Sequence, residues 1–239
     1  VVELLDHPDN PDEEVRGNLR DLERLNRHLG GARTVLFHLK RMIAQHPQAR
    51  LMILDVATGA ADIPRAICRW AKRRGLTVTV EAVDRSHQIL AAAAAWSASY
   101  PEIRLRQANV PPLPYPDQSF DYVLSSLFFH HLNEARGSDL LREMARVARH
   151  GLIVNDLLRS RLACLLTRIG TRLLSTNRLT HHDGPMSVLR GFRPKELVHM
   201  ASEAGLHDAR VSLHPWFRIA LTSGTRPRVS KENPEKQER

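Results

Sequence analysis

An α/β architecture, a mostly parallel sheet with helices on both faces, is what this sequence predicts, and three observations predict it. Between Leu51 and Asn155, short apolar or β-branched runs alternate with helical stretches. The first run, Leu51-Met52-Ile53-Leu54, is continuously apolar, as expected of a strand buried on both faces. The chain has 239 residues, 42% hydrophobic and 26% charged, enough for one domain whose core needs no disulfide or metal staple.

The first fifty residues, 1–50, read as a helical cap. Asn10 is placed to cap, Pro11 suits a first helical position, and Glu13 completes a capping-box spacing. Leu19, Leu22, Leu25 and Leu29 recur at helical intervals until Gly30-Gly31, and Val35, Leu36, Leu39, Met42 and Ile43 mark a second helix. Residues 51–156 form the core. Strands are expected at 51–54, 77–83, 103–106, 120–126 and 151–155, with helices at 61–74, 86–99 and 134–148. After the fifth strand comes an insertion, 157–192, helical to Leu174 and then polar and irregular. Residues 193–222 restore the pattern with a helix at 194–203 and two strands, 209–213 and 216–221, spaced for a hairpin. That makes seven strands. The charged remainder, 223–239, is expected to be disordered.

The formal net charge of +9 fits an anionic partner or simply a solvated arginine-rich surface. Aromatics are only 5%, which argues against a base-stacking platform. Cys68 and Cys164 have neither disulfide-framework nor zinc spacing, so no metal site is expected and a reducing cytoplasm fits. The apolar run Ile89–Trp96 falls well short of the roughly 20 residues that span a bilayer, and the acidic start is unlike a signal peptide.

The chemistry-bearing residues cluster where strands end. Leu54-Asp55-Val56-Ala57-Thr58-Gly59-Ala60-Ala61-Asp62 takes a buried strand through a turn of small residues into a helix. Small residues admit a ligand close to the backbone, and the helix start favours negative charge. Asp84 ends the second strand, where a carboxylate either accepts ribose hydroxyls or caps the next helix. Asn109 follows the third strand, able to meet an adenine edge or to make a turn. Leu113-Pro114-Tyr115-Pro116-Asp117-Gln118-Ser119-Phe120-Asp121 leads into the fourth strand, and Leu127 to Leu132 contains His130-His131.

In these segments the chain resembles class I S-adenosylmethionine (SAM) dependent methyltransferases. Asp55 to Ala61 is similar to the family's D-x-G-x-G-x-G, with Ala57 and Ala61 replacing two glycines, and L-D-V-A-x-G resembles the quinone-biosynthesis C-methyltransferases. Asp84 matches the ribose-binding acid, Asn109 stands where the family usually has Asp, and Leu113–Asp121 and Leu127–Leu132 resemble L-P-F-x-D-x-S-F-D and L-x-H-H-L. The resemblance implies a Rossmann-like seven-stranded sheet with an antiparallel last strand, SAM as cofactor and S-adenosylhomocysteine (SAH) as product. It also implies cofactor contacts from Asp55, Ala57, Thr58, Gly59, Asp62, Asp84, Arg85, Asn109, Val110, Ser125 and Ser126, with Asn26, Arg27 and Arg33 of the cap near the methionine carboxylate.

Methyl transfer needs in-line alignment above all, and a phenol or acid acceptor also needs a base. His131, just past the fourth strand, is the first candidate, or else a packing residue; His130 is expected to turn the other way. His182 and Asp183, within Thr180 to Pro185, are a second candidate pair, or else an exposed polar turn. The expected function is O- or C-methylation of a phenolic, quinone-like or polyketide-like small molecule, with oligomeric state left open. Two alternatives stand beside it, a nucleic-acid methyltransferase and a non-catalytic SAM binder. The first lacks Asn/Asp-Pro-Pro-Tyr/Phe, since Ser125-Ser126-Leu127-Phe128 occupies that place. A nicotinamide oxidoreductase would need the absent G-x-G-x-x-G.

Overall fold

Seven strands make one sheet in the computed structural model, which describes residues 3–7 and 9–224. They are β1 (Arg50–Val56), β2 (Thr77–Asp84), β3 (Ile103–Gln107), β4 (Phe120–Ser126), β5 (Ala148–Leu157), β6 (Arg210–His214) and β7 (Arg218–Gly224), in the order β3-β2-β1-β4-β5-β7-β6. The first five are parallel to one another, and β7 runs antiparallel to both β5 and β6. This is the Rossmann-like arrangement the sequence predicts. Eight helices surround it: α1 (Asp12–His28), α2 (Gly31–Gln45), α3 (Asp62–Arg73), α4 (His87–Trp96), α5 (Glu134–Val147), α6 (Arg161–Leu174), α7 (Arg178–Arg190) and α8 (Pro194–Glu203).

Alternation along β1 sorts its side chains into two cores. Leu54 and Val56 join Leu140, Leu141 and Met144 of α5 and Leu197 and Met200 of α8. Leu51 and Ile53 join Val35 and Leu39 of α2 and Ile63, Ile67 and Trp70 of α3. Each such side chain contributes about 1.5–3 kcal/mol through burial. A smaller third cluster, Val15 and Leu19 with Ala60 and Leu179, seats α1 over the end of β1.

Several elements depart from the sequence reading. Asn10 does not cap α1. Its amide donates to the carbonyls of Leu4 and His7, and Pro11 takes the cap position. Helix α2, expected in a cap, lies in the layer on the sheet, because its apolar stripe is wide enough to be buried there. β5 starts at Ala148 rather than Gly151 and runs to Leu157, since Gly151–Leu157 pair with β7 throughout and Ser160 caps α6 only afterwards. Residues 178–190, expected to be irregular, form α7. Asn177 accepts the Thr180 N–H, and at Gly184 a Cβ would come within 3.1 Å of Thr171 and 3.3 Å of Thr167. Packing on α6 thus overrides the Asp-Gly-Pro turn signal, although an interior proline such as Pro185 costs about 3 kcal/mol. Ser223 and Gly224, assigned to the disordered tail, complete β7, and 225–239 lie outside the described residues.

The turn after β1 keeps a glycine-like path without the glycines. Ala57, Gly59 and Ala61 have φ of 56°, 55° and 56°, all left-handed. An L-residue with a Cβ costs roughly 1–2 kcal/mol in that region. Ala57→Gly and Ala61→Gly should therefore each raise the unfolding free energy by about 1 kcal/mol in urea titration, opposite to the usual effect of this substitution. Lower midpoints in both variants would contradict the strain.

Candidate functional site

Strand order reverses at β1, with β2 and β3 on one side and β4 on the other. Side-chain layers cannot close over such a point, and a crevice forms beyond the carboxyl ends of the strands. Here it is a cavity of about 1030 Å³. It is lined by the turn Ala57–Ala60, by Asp62 and Asp84, by Asn109 and Val110, by Ser126 to Phe128, and by His130 and His131. Parts of α1, α6 and α7 close it.

The turn and the second strand are joined directly. The Gly59 N–H donates to the Asp84 carboxylate at 3.0 Å, and the other Asp84 oxygen accepts the Ser86 N–H. Asp55 lies beneath, accepting the Thr58 hydroxyl at 2.7 Å, while its second oxygen has no partner among the described residues. Burial pushes Asp55 up to about 7, assisted by the neighbouring charges of Asp62 and Asp84. Burial also raises Asp62 and Asp84, against the bond from Asn26 to Asp62 and the amides on Asp84. Three carboxylates thus share one low-dielectric turn. Buried Arg65 fastens α1 over it, with bonds to the Ala60 carbonyl and Ser97 and an ion pair to Glu23 at 2.9 Å.

A second charged group stands at the end of β4 and β5. His130 Nδ1 lies 2.7 Å from Asp156, whose carboxylate also takes the amides of His130 and Leu157. Glu3 faces both histidine Nε2 atoms at 3.6 Å and accepts the Ser187 hydroxyl. Burial alone would lower His130, but Asp156 and Glu3 overcome it and hold the ring up at about 9. Conversely, Asp156 and Glu3 are held low by the histidines despite their burial. The ligand-type atoms of Glu3, His130 and His131 lie within 4.8 Å of one another, yet a protonated His130 together with Arg190, 3.9 Å from Glu3, already balances the two carboxylates of the cluster. Arg218 of β7, fully buried, donates to Asn26 and to the Leu29 carbonyl. It keeps one Nη without a partner among the described residues.

The cavity brings together most of the residues expected from sequence: Ala57, Thr58, Gly59, Asp62, Asp84, Arg85, Asn109, Val110, Ser126 and His131. Asn26 and Arg27 line it too, whereas Arg33 does not. Asp55 and Ser125 lie behind the wall, the latter donating to the Val56 carbonyl, so they shape the turn rather than touch the cavity. His182 and Asp183 do not line it either. The helical course of α7 turns them toward the N-terminal segment, where Asp183 accepts the Leu4 and Leu5 amides at 2.8 and 2.9 Å and pairs with His182. His130, expected to turn away, is buried but still borders the cavity. Glu3 and Arg218 were not singled out as site residues. Their partners lie up to 192 positions away, and no local spacing announces such pairs.

Residues 53–151 match the methyltransferase domain family. Over 98 residues the chain is 36% identical to the demethylmenaquinone methyltransferase of Bacillus licheniformis, covering 41% of this chain and 40% of that one. It is 34% identical over 83 residues to the ubiquinone/menaquinone biosynthesis C-methyltransferase of Rickettsia bellii, covering 34% of each. The matches thus span well under half of these relatives' length. In fold it is similar to a SAM dependent methyltransferase from Aquifex aeolicus, with a TM-score of 0.63 at 18% identity, covering 91% of this chain and all of that one. Residues 53–151 thus match a methyltransferase domain and the fold is that of SAM-dependent methyltransferases, so SAM is the cofactor against which the site is tested.

The turn itself fits that cofactor. A Cβ on Gly59 would meet nothing within 4 Å, so the space before the backbone is open. Three carboxylates strained toward neutrality suit a sulfonium cation and repel the diphosphate of a nicotinamide dinucleotide. As pH falls through about 7, Asp55 takes up a proton and the attraction weakens. The ratio of SAM to SAH affinity should therefore rise with pH across that range in calorimetric titration, and Asp84→Asn should weaken both ligands at least about tenfold. A flat ratio would refute the electrostatic reading. His130, with a raised pKa, contributes stability that is complete below about 6.5, its usual value, and is lost as pH rises through about 9. The stability difference between the native chain and His130→Gln should shrink over that interval in thermal melts.

Proposed function

We propose that the protein transfers a methyl group from SAM to oxygen or carbon of a small, quinone-like aromatic acceptor. One observation carries the reading. A single cavity is lined both by the Gly59–Asp84 cradle and by His131 with Phe128 and with Leu166 and Leu174 of α6, so cofactor and an apolar ring would share one volume. Its size exceeds the lower end of drug-sized pockets, leaving room for a second molecule. The names of the relatives, demethylmenaquinone methyltransferase and ubiquinone/menaquinone biosynthesis C-methyltransferase, support the quinone class.

Bound in the cradle, the cofactor supplies an activated methyl group on a positively charged sulfur. The chain's own residues do the rest. Asp84 takes the ribose hydroxyls, and Asn109, exposed at the cavity edge, meets the adenine. Arg218, with an unused Nη, and Asn26 hold the methionine end. His131 is the base that accepts a phenolic or ring proton. Glu3 at 3.6 Å steadies the charge that the imidazole then gains, and Phe128, whose ring lies 6.0 Å from that of His131, sets its plane. His130 and Asp156 hold the backbone of this corner in place.

Incubation with SAM and a panel of naphthoquinols and phenols, read by mass and by proton spectra of the product, tests the activity and separates O- from C-methylation. His131→Gln should lower kcat by about 10²–10⁴ while leaving SAH affinity unchanged. Equal turnover in the variant would remove His131 from the chemistry, and cofactor uptake with no methylated product from any acceptor would sink the proposal.

A further inference from the structure

Helix α6 is inside out. Leu162, Leu165, Leu166, Ile169 and Leu173 share one helical face, and all stand about half or more exposed, Leu173 at 78%. The side turned to the protein carries Ala163, Thr167 and Thr171 instead. A surface helix normally buries its apolar stripe, so this one presents its stripe to something else. Beside the stripe, at one flank of the same helical face, stand Arg161, Arg168 and Arg172, all exposed, and α6 has no acidic residue.

We propose that the outer face of α6 docks on an anionic lipid bilayer. The stripe enters the acyl boundary while the arginine row meets lipid phosphates, the pattern of a helix lying in the interface plane. At fourteen residues the helix is about 21 Å long, too short to cross roughly 30 Å of hydrocarbon but suited to lie along its surface. The chain's net charge of +9 has the matching sign. A second copy packed two-fold through this stripe would set arginines against arginines with no acid of α6 to answer them. Leu166 and Leu174 of the same helix border the cavity, so one helix separates the cavity from the lipid. If the methyl transfer proposed above is correct, the acceptor is then drawn from the bilayer, and the docking itself needs no turnover to be measured.

Cosedimentation with vesicles of phosphatidylcholine alone and with added phosphatidylglycerol tests this on the full chain. The protein should pellet with the anionic vesicles, less so at high salt. The double variant Leu165→Asp/Ile169→Asp, whose sites face away from the cavity, should pellet at least tenfold less. SAH affinity measured on the same variant should be unchanged, showing that the fold is intact. A second variant, Arg168→Glu/Arg172→Glu, should lose the preference for anionic lipid. Failure of the native chain to pellet with either vesicle overturns the proposal, as does equal pelleting of the Leu165→Asp/Ile169→Asp variant. A native dimer that this variant converts to monomer in sedimentation equilibrium also overturns it, because the stripe would then be covered by a second copy.

Discussion

The hydrogen bond from the Gly59 amide to Asp84 ties the carboxyl ends of β1 and β2 together at the point where strand order reverses. Around that amide, residues 57, 59 and 61 take left-handed backbone angles as the turn passes over the strand ends. Because the carboxylate is buried, its charge is uncomfortable without a partner. Asp55 and Asp62 repeat the situation within the same few residues. A site assembled in this way combines open space with carboxylates that burial pushes toward their neutral form, two properties that suit a cationic ligand.

Much of this was legible along the chain, and what was legible was local. Strand-turn-helix at 54–62, an acid at the end of the next strand and a polar residue at the end of the third are each confined to a few residues, and their physics is set by neighbours in sequence. So the cradle could be read with two glycines missing, since alanine is small enough to follow the path at a cost. The opposite wall was not legible. Glu3, His130, Asp156 and Arg218 acquire their roles only when the N-terminal segment, the end of β4, the end of β5 and the start of β7 converge. Asp-Gly-Pro at 183–185 was misleading for a related reason. Its turn preference is local, and the contact of Gly184 with Thr167 and Thr171 on α6 is not.

The two walls also differ electrically. Around the turn, Asp55, Asp62 and Asp84 crowd together, and burial raises all three even with Arg65 and Arg85 nearby. At the far corner, a protonated imidazole is enclosed by Asp156 and Glu3, with Arg190 3.9 Å from Glu3. The first arrangement is incomplete without a ligand, whereas the second is complete by itself and rigid. A reaction that moves positive charge from a sulfonium toward a proton acceptor would run from the unbalanced wall toward the balanced one, and the latter needs little reorganisation to receive it.

The Leu4 and Leu5 amides, held by the two oxygens of Asp183, carry a practical consequence. The 3-10 turn they open is three residues long, and Glu3, directly before it, is anchored through His130, His131 and Ser187, which border the cavity, and through Arg190. Such a short segment opens at a small fraction of the global unfolding free energy. Whatever fills the space behind Glu3 changes how often that opening occurs. Deuterium uptake at those two backbone positions is therefore a built-in gauge of occupancy, readable by mass spectrometry of one N-terminal peptide with no label, no chromophore and no knowledge of which acceptor is present.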